Sequence, residues 1–202
     1  MPDVLIIRHG ESEWNLEHRW QGWLDAPLTP LGVRQAQDRA SELRQSGLTP
    51  AVVHCSDLGR ARRTAEIIAG VLGGAVRPHA GLRERCAGEW EGRTSDEIDE
   101  HWPGQRLAWR RGELSCRPGG EQDHEVIARV DAAIADVVGG PRPGLVVTHH
   151  GVLRLIATRA GADIRTLIPN LGGYWFDVDG AALARPVPLD PLSLPAEAPA
   201  TE

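Results

Sequence analysis

The chain is predicted to fold as an α/β three-layer sandwich, with a mainly parallel central sheet and helices on both faces. Three observations predict it. Apolar runs stand at residues 4–7, 51–55 and 145–148, the first of them with no polar face, which is the composition of strands buried on both sides. Helical periodicities separate these runs, and alternation of strand and helix favours parallel pairing through crossovers. Polar groups then follow the runs directly, at the carboxyl ends of strands, where open α/β sheets gather their ligands.

The elements follow in order. Residues 4–7 make the first strand, and Arg8-His9-Gly10-Glu11 leaves its end. Thr29 is an N-cap, and Leu31, Ala36, Ala40 and Leu43 then space as a helix face. Residues 51–55 make a second strand. Asp57 is expected to cap the helix that carries Leu58, Ala61, Ala65, Ile68 and Leu72. Thr94 or Ser95 starts a short helix that Pro103 stops. Gly120 precedes a longer one with Val126, Ile127, Val130, Ile134, Val137 and Val138 on one stripe. After the strand at 145–148, Gly151 leads into a helix over 152–160. Residues 174–178 and 182–185 read as a closing hairpin about Asp179-Gly180. Residues 89–120 are polar and Trp-rich, an excursion over the carboxyl edge of the sheet. Residues 187–202 are Pro-rich with little periodicity and read as an irregular tail.

Composition narrows the function. With 202 residues, one domain over 1–186 has enough chain for a core. A net charge of −6 offers no general field for nucleic acid or acidic membranes, so an anion site must be local. All 22 basic residues are Arg, so any phosphate grip uses forked guanidiniums. The three Cys are odd in number and without a C-x-x-C, which argues against a disulfide framework. His54, His79, His101 and His124 show no metal-ligand spacing, and no metal or cofactor is expected. With no leader-like or bilayer-length segment, the expected compartment is the cytoplasm.

Four polar segments converge if the strands are parallel: Arg8-His9-Gly10-Glu11, residues 56–65 around Arg60, Leu82-Arg83-Glu84, and Thr148-His149-His150-Gly151. Paired Arg and His around one point suit a phosphoryl dianion. One His can attack phosphorus and become a phosphohistidine, splitting a hard hydrolysis into two steps. The leaving oxygen then needs an acid, and Glu84 is the candidate beside its neighbours Glu89 and Glu91. A second His, when protonated, would add positive charge.

These residues resemble the histidine phosphatase superfamily, the phosphoglycerate mutase-like fold. The likeness runs through residues 8–15, 21–29, 32–36 and 147–154. It implies a single histidine phosphatase domain over 1–186, its 89–120 excursion acting as a lid. It also implies His9 as the phosphorylated nucleophile, Glu84 as proton donor, and Arg8, Arg60 and His149 as phosphoryl ligands. Asn15 would contact the phosphate and Gln21 would stand at the rim, with turn capping as the rival reading for both. His150 stands where the family usually has Gly and would face the substrate. Arg62 and Arg63 read as outward-facing. Trp90, Trp102 and Trp109 either line a mouth or pack at the sheet edge.

Within the family, Trp14-Asn15-Leu16-Glu17-His18-Arg19 and Arg110-Arg111 resemble the cofactor-dependent phosphoglycerate mutases. Gln21, Ala87 and His150-Gly151-Val152 depart from them, and Pro118-Gly119-Gly120-Glu121 resembles the phosphatases. The expectation is a metal-independent phosphomonoesterase of small phosphorylated metabolites, with Arg110 and Arg111 favouring a carboxylate-bearing substrate. A mutase is the alternative, followed by a non-catalytic phospho-ligand binder. The expected partner is the small substrate, with no nucleic acid or membrane, and homodimerisation left open.

Overall fold

The computed structural model describes residues 2–192. Its elements are β1 (Val4–Arg8), α1 (Glu13–Leu16), α2 (Pro30–Gln45), β2 (Val52–Ser56), α3 (Gly59–Leu72), β3 (Ala75–His79), α4 (Ser95–His101), α5 (Gln105–Arg110), α6 (Asp123–Val138), β4 (Gly144–Thr148), α7 (His150–Arg159), β5 (Gly173–Asp179) and β6 (Ala182–Pro188), with 3-10 turns at Ala80–Leu82 and Gly88–Trp90. The sheet order is β3-β2-β4-β1-β5-β6. The first four strands are mutually parallel, and β5 and β6 complete one edge antiparallel.

Period-2 alternation in β1 builds the two covered faces. Val4 and Ile6 join Val146 and Phe176 beneath α6 and α7. Leu5 and Ile7 join Val53, Leu145 and Val147 beneath α2 and α3. The helix after β1 therefore lies on one face and the helix after β4 on the other. That divergence opens a crevice at the carboxyl ends of these two neighbouring strands, the switch point at which such sheets take ligands.

Most sequence-predicted elements stand where expected, including the Thr29 cap, whose hydroxyl accepts from Gly32 N at 2.9 Å, and the capping box of Thr94 with Glu97. The last helix starts at His150 rather than 152. Asp57 does not cap α3. Its carboxylate is taken by a two-pronged pair with Arg83, at 2.7 and 2.6 Å. Asp25 caps α3 from the preceding loop instead, accepting from Gly59 N and Arg60 N. The tail also begins later than predicted. Val187 and Pro188 still pair with Trp175 and Tyr174, because β6 is an edge strand and a Pro there costs no ladder donor. Residues 193–202 of the predicted tail lie outside the described residues.

Candidate active site

β1 and β4 pair in register, Arg8 opposite Thr148, and His9 N donates to Thr148 O at 2.9 Å. His9 and His149, each one residue past its strand, thus stand side by side, with ring centroids 5.1 Å apart and edge to face. His9 is 3% exposed and His149 wholly buried. Gly10 permits the sharp exit from β1: a Cβ there would fall 2.6 Å from Gly32 O. Gly10 N donates to Thr64 Oγ1 at 3.1 Å, and Asn170 Nδ2 donates to His9 O at 2.9 Å.

His9 Nδ1 lies 2.7 Å from Gly10 O. A carbonyl only accepts, so Nδ1 carries the hydrogen and Nε2 keeps its lone pair. Burial, then the Arg60 and Arg8 cations, hold His9 well below the ordinary imidazole range. Burial first, then Arg60, His9 and Arg8, do the same to His149. Burial and the neighbouring cations thus disfavour the protonated form in which the second histidine would add positive charge.

The two cations are held differently. Arg8 Nη1 donates to Ile168 O at 2.8 Å, and burial pushes Arg8 down to about 10, against the pull of Glu84. It stays charged at neutral pH. Arg60, 1% exposed, sits in the first turn of α3 and donates to Gly22 O, Leu24 O and Asp25 Oδ1 at 2.8, 2.9 and 2.9 Å. These bonds leave Arg8 Nε, Arg60 Nε and both His149 nitrogens buried without a partner among the described residues. Buried polar atoms are normally paired, so this group is built to meet an acceptor-rich anion.

Glu84 stands at the N-terminus of α7. Its Oε2 accepts from Gly151 N at 2.9 Å and its Oε1 from Arg85 N at 2.8 Å. A Cβ at Gly151 would run into this carboxylate, so the Gly of the His150-Gly151 pair is demanded by Glu84. Arg129 on α6 fixes the backbone of the same segment, donating to Gly81 O, Arg83 O and Glu84 O at 2.9, 2.7 and 3.0 Å.

A cavity of about 1070 Å³ joins these parts. Arg8, His9, Arg60, Glu84, Asn15, Gln21 and His150 all line it, while His149 sits behind His9, off the wall. Asn15 serves both readings at once. It boxes the start of α1 with Ser12 and lines the cavity, and Gln21 Oε1 accepts from Ser12 Oγ at 3.0 Å. Trp90 is core, packed with Ile98 and Ala87 and flanked by Trp20, Trp102 and Trp109; Trp20 and Trp109 also reach the cavity wall. Arg62 and Arg63 point outward. Arg110 lines the cavity, but Arg111 does not and lies 4.0 Å from Glu113 in solvent.

Sequence reasoning missed Asn170, Asp25, Arg129 and Arg117. Arg117 stacks on Trp109 and Trp20, 4.3 and 5.1 Å from their ring centres, and burial pushes it down to about 10. Its signal was the Pro118-Gly119-Gly120 turn that follows. Glu89 N donates to Pro118 O at 2.9 Å, and only a Gly at 88 lets that turn approach. In all, Arg8, Arg19, Arg60, Arg85, Arg110, Arg117 and Arg154 line the cavity against Glu11, Glu84 and Asp123, so its wall is cationic on balance.

A wall of this kind defines an anion-receiving α/β protein, with histidines at its switch point. Comparison with known sequences goes one step further: the chain belongs to the histidine phosphatase superfamily (branch 1), whose pattern matches residues 4–169. It is 42% identical over 156 residues to the probable phosphoglycerate mutase GpmB of Klebsiella pneumoniae, covering 75% of this chain and 71% of that protein. Among solved structures, YhfR of Bacillus stearothermophilus superposes with a TM-score of 0.81 at 29% identity, covering 90% of this chain and 93% of YhfR. A mycobacterial glucosyl-3-phosphoglycerate phosphatase complexed with VO3 does so with 0.78 at 31% identity, over 92% and 97%. Among the described residues no helix is long and apolar enough to cross a membrane.

Proposed function

We propose that the protein is a metal-independent phosphomonoester hydrolase that works through a phosphohistidine on His9. One observation carries the reading: a neutral His9, its Nδ1–H given to Gly10 O, presents the Nε2 lone pair beside two buried guanidiniums with spare donors. In the first step the Nε2 lone pair forms a bond to phosphorus while the bond to the leaving oxygen breaks, and Glu84 gives that oxygen a proton. Arg8 and Arg60 take up the charge on the phosphoryl oxygens, and the unpartnered ring of His149 stands edge to face with His9, beside the nitrogen that is phosphorylated. In the second step water attacks phosphorus, Glu84 takes its proton, the P–N bond breaks, and inorganic phosphate leaves with Nε2 restored.

The substrate class follows from the rest of the wall. Arg110, Arg117 and Arg154, which line the cavity, have no carboxylate partner within 4.0 Å among the described residues. They favour a small phosphomonoester with a second anionic group. The named relatives, a glucosyl-3-phosphoglycerate phosphatase and a probable phosphoglycerate mutase, support an acidic substrate of this kind. The mutase reading has the second relative behind it. Against it stand Gln21, Ala87 and His150, wall positions at which the sequence departs from the mutases, although the mutase-like Trp14, Asn15, His18, Arg19 and Arg110 line the same cavity.

The test is phosphate release from a panel of acidic and neutral phosphomonoesters in EDTA, with 2- and 3-phosphoglycerate interconversion followed in the same tubes. Release that is lost in His9→Ala is the expected result. Interconversion without release, dependent on a bisphosphoglycerate primer, would replace hydrolase by mutase.

A further inference from the structure

A second pair of histidines stands outside the cavity, where β2, β3 and α6 meet. His54 on β2 and His79 at the end of β3 stack with centroids 5.2 Å apart. His54 Nδ1 lies 3.0 Å from His79 Nε2, and His79 Nε2 lies 3.3 Å from Asp136 Oδ2 on α6. All three candidate donor atoms fall within 4.8 Å of one another. None of these residues lines the catalytic cavity.

We propose that His54 Nδ1, His79 Nε2 and the Asp136 carboxylate form a binding site for one divalent metal ion of the zinc class, which ties β2, β3 and α6 together. Zinc binds imidazole nitrogen and carboxylate oxygen at about 2.0–2.2 Å in tetrahedral sites, which sets neighbouring donor atoms roughly 3.3 Å apart. Two of the three separations, 3.0 and 3.3 Å, match that spacing, and the third lies within 4.8 Å. The set of two imidazoles and one carboxylate leaves a fourth position, and Asp136 is half exposed, so water can complete the site.

A hydrogen-bonded cluster accounts for the same atoms less well. His79 Nε2 faces both His54 Nδ1 and Asp136 Oδ2, yet a neutral ring nitrogen carries either one proton or one lone pair. If Nε2 is protonated, that single proton serves one contact properly and not the other. If it is not, Asp136 faces a lone pair. A cation at the centre satisfies all three atoms. Arg77 shares Asp136 Oδ2 at 3.6 Å, but it is more than half exposed and competes weakly in water.

The placement gives the ion a purpose. His79 directly precedes the turn Ala80–Leu82, which leads to Arg83 and Glu84. Arg129 already binds the far end of this segment to α6 through three carbonyls. A metal held by His79 and Asp136 would bind its near end to the same helix. Sequence spacing concealed the group, since 25 residues separate the two histidines and only the pairing of β2 with β3 brings them together. The expectation of no metal is thereby revised for this site, while the proposed reaction stays metal-free.

The experiment titrates ZnCl2 into the EDTA-stripped full-length chain by calorimetry and equilibrium dialysis, and follows Tm with and without zinc. The variants are His79→Gln, Asp136→Asn and His9→Ala. The expected result is one zinc per chain and a zinc-dependent rise in Tm, both retained in His9→Ala. His79→Gln and Asp136→Asn should bind zinc more weakly by about tenfold or more, the loss that even an outer partner of a metal site causes. Asp136→Asn alters an exposed side chain, so its Tm in EDTA reports whether the fold survives. Equal affinity in wild type and His79→Gln, equal affinity in wild type and Asp136→Asn, absence of saturable binding at one equivalent, or loss of binding in His9→Ala alone would each overturn the site.

Discussion

Two histidine pairs lie on the same sheet at nearly the same separation, 5.1 Å for His9 and His149 and 5.2 Å for His54 and His79. Their surroundings have opposite sign. The first pair stands between Arg8 and Arg60, with unpartnered donors around it. The second stands against Asp136, with lone pairs converging. The same side chain therefore faces guanidiniums in one place and a carboxylate in the other, which suits an anion at the first and, on the proposal above, a cation at the second. Histidine alone says little about function; the charge of its neighbours decides what it receives. The strands decide who the neighbours are. β1 and β4 diverge to helices on opposite faces and open a crevice, whereas β2 and β3 run beneath one layer, beside α6.

The sharpest break of this contrast is His9→Ala. Removing the attacking nitrogen should lower phosphate release by about a thousandfold or more and abolish the acid-labile phosphoenzyme seen on rapid quenching. His54→Gln should leave both intact in EDTA. If His9→Ala retained a phosphoenzyme, the nucleophile would lie elsewhere.

Arg60→Met comes next. Its guanidinium is one of the two that meet the transferring group, and losing one such donor costs about 10²–10³ in kcat. Asp25→Asn tests the support rather than the charge. Asp25 holds both the Arg60 side chain and the first turn of α3, so this variant should lose less, about tenfold, with KM for phosphoester rising alongside. Equal kcat in wild type and Arg60→Met would remove Arg60 from the chemistry.

These two tests also mark how far the sequence could be read. The residues that line the cavity were legible in part because apolar strands announce themselves and their carboxyl ends converge by rule; Arg8, His9 and Arg60 needed only that, whereas Glu84 follows β3. The supports were not, because they act across the chain. Asp25 caps a helix that begins 34 residues later, Arg129 reaches back 45 to Glu84, and Asn170 holds His9 from 161 residues away. Asp57 misled for the same reason: its local position suits a cap, but Arg83 is the stronger partner once β3 has folded alongside. β3 itself was hidden, since Ala75–His79 carries Arg77 and Pro78 on an exposed edge and shows neither alternation nor a buried run.

His9 and His149 should respond to acid in the same direction as His54. Burial holds His9, His149 and His54 below the unfolded imidazole value of 6.5, His54 at about 4. The unfolded chain then takes up protons first as pH falls. Stability from these groups is complete above 6.5 and is lost progressively as pH falls below it, for His54 down to about 4, by at most about 1.4 kcal/mol per pH unit for each histidine. Urea midpoints measured in EDTA should therefore fall between about pH 6.5 and pH 4.5. Zinc should restore part of the loss through the second pair and inorganic phosphate through the first. A midpoint constant over that range would mean that the histidines are not held neutral.

The smallest effect separates Arg110 from Arg111, adjacent residues that sequence alone treats as equals. Arg110 lines the cavity, while Arg111 stands in solvent beside Glu113. A partly exposed guanidinium discriminates weakly, so Arg110→Ala should lower the preference for acidic over neutral phosphomonoesters by about threefold to tenfold, at most roughly 1.4 kcal/mol. Arg111→Ala should leave the preference unchanged. The ratio of kcat/KM values for 3-phosphoglycerate and a neutral phosphomonoester of similar size reads the difference. Equal ratios for both variants would move the second anion site to Arg117 between its two tryptophans, because that half-buried guanidinium is fixed by stacking and has no carboxylate partner among the described residues.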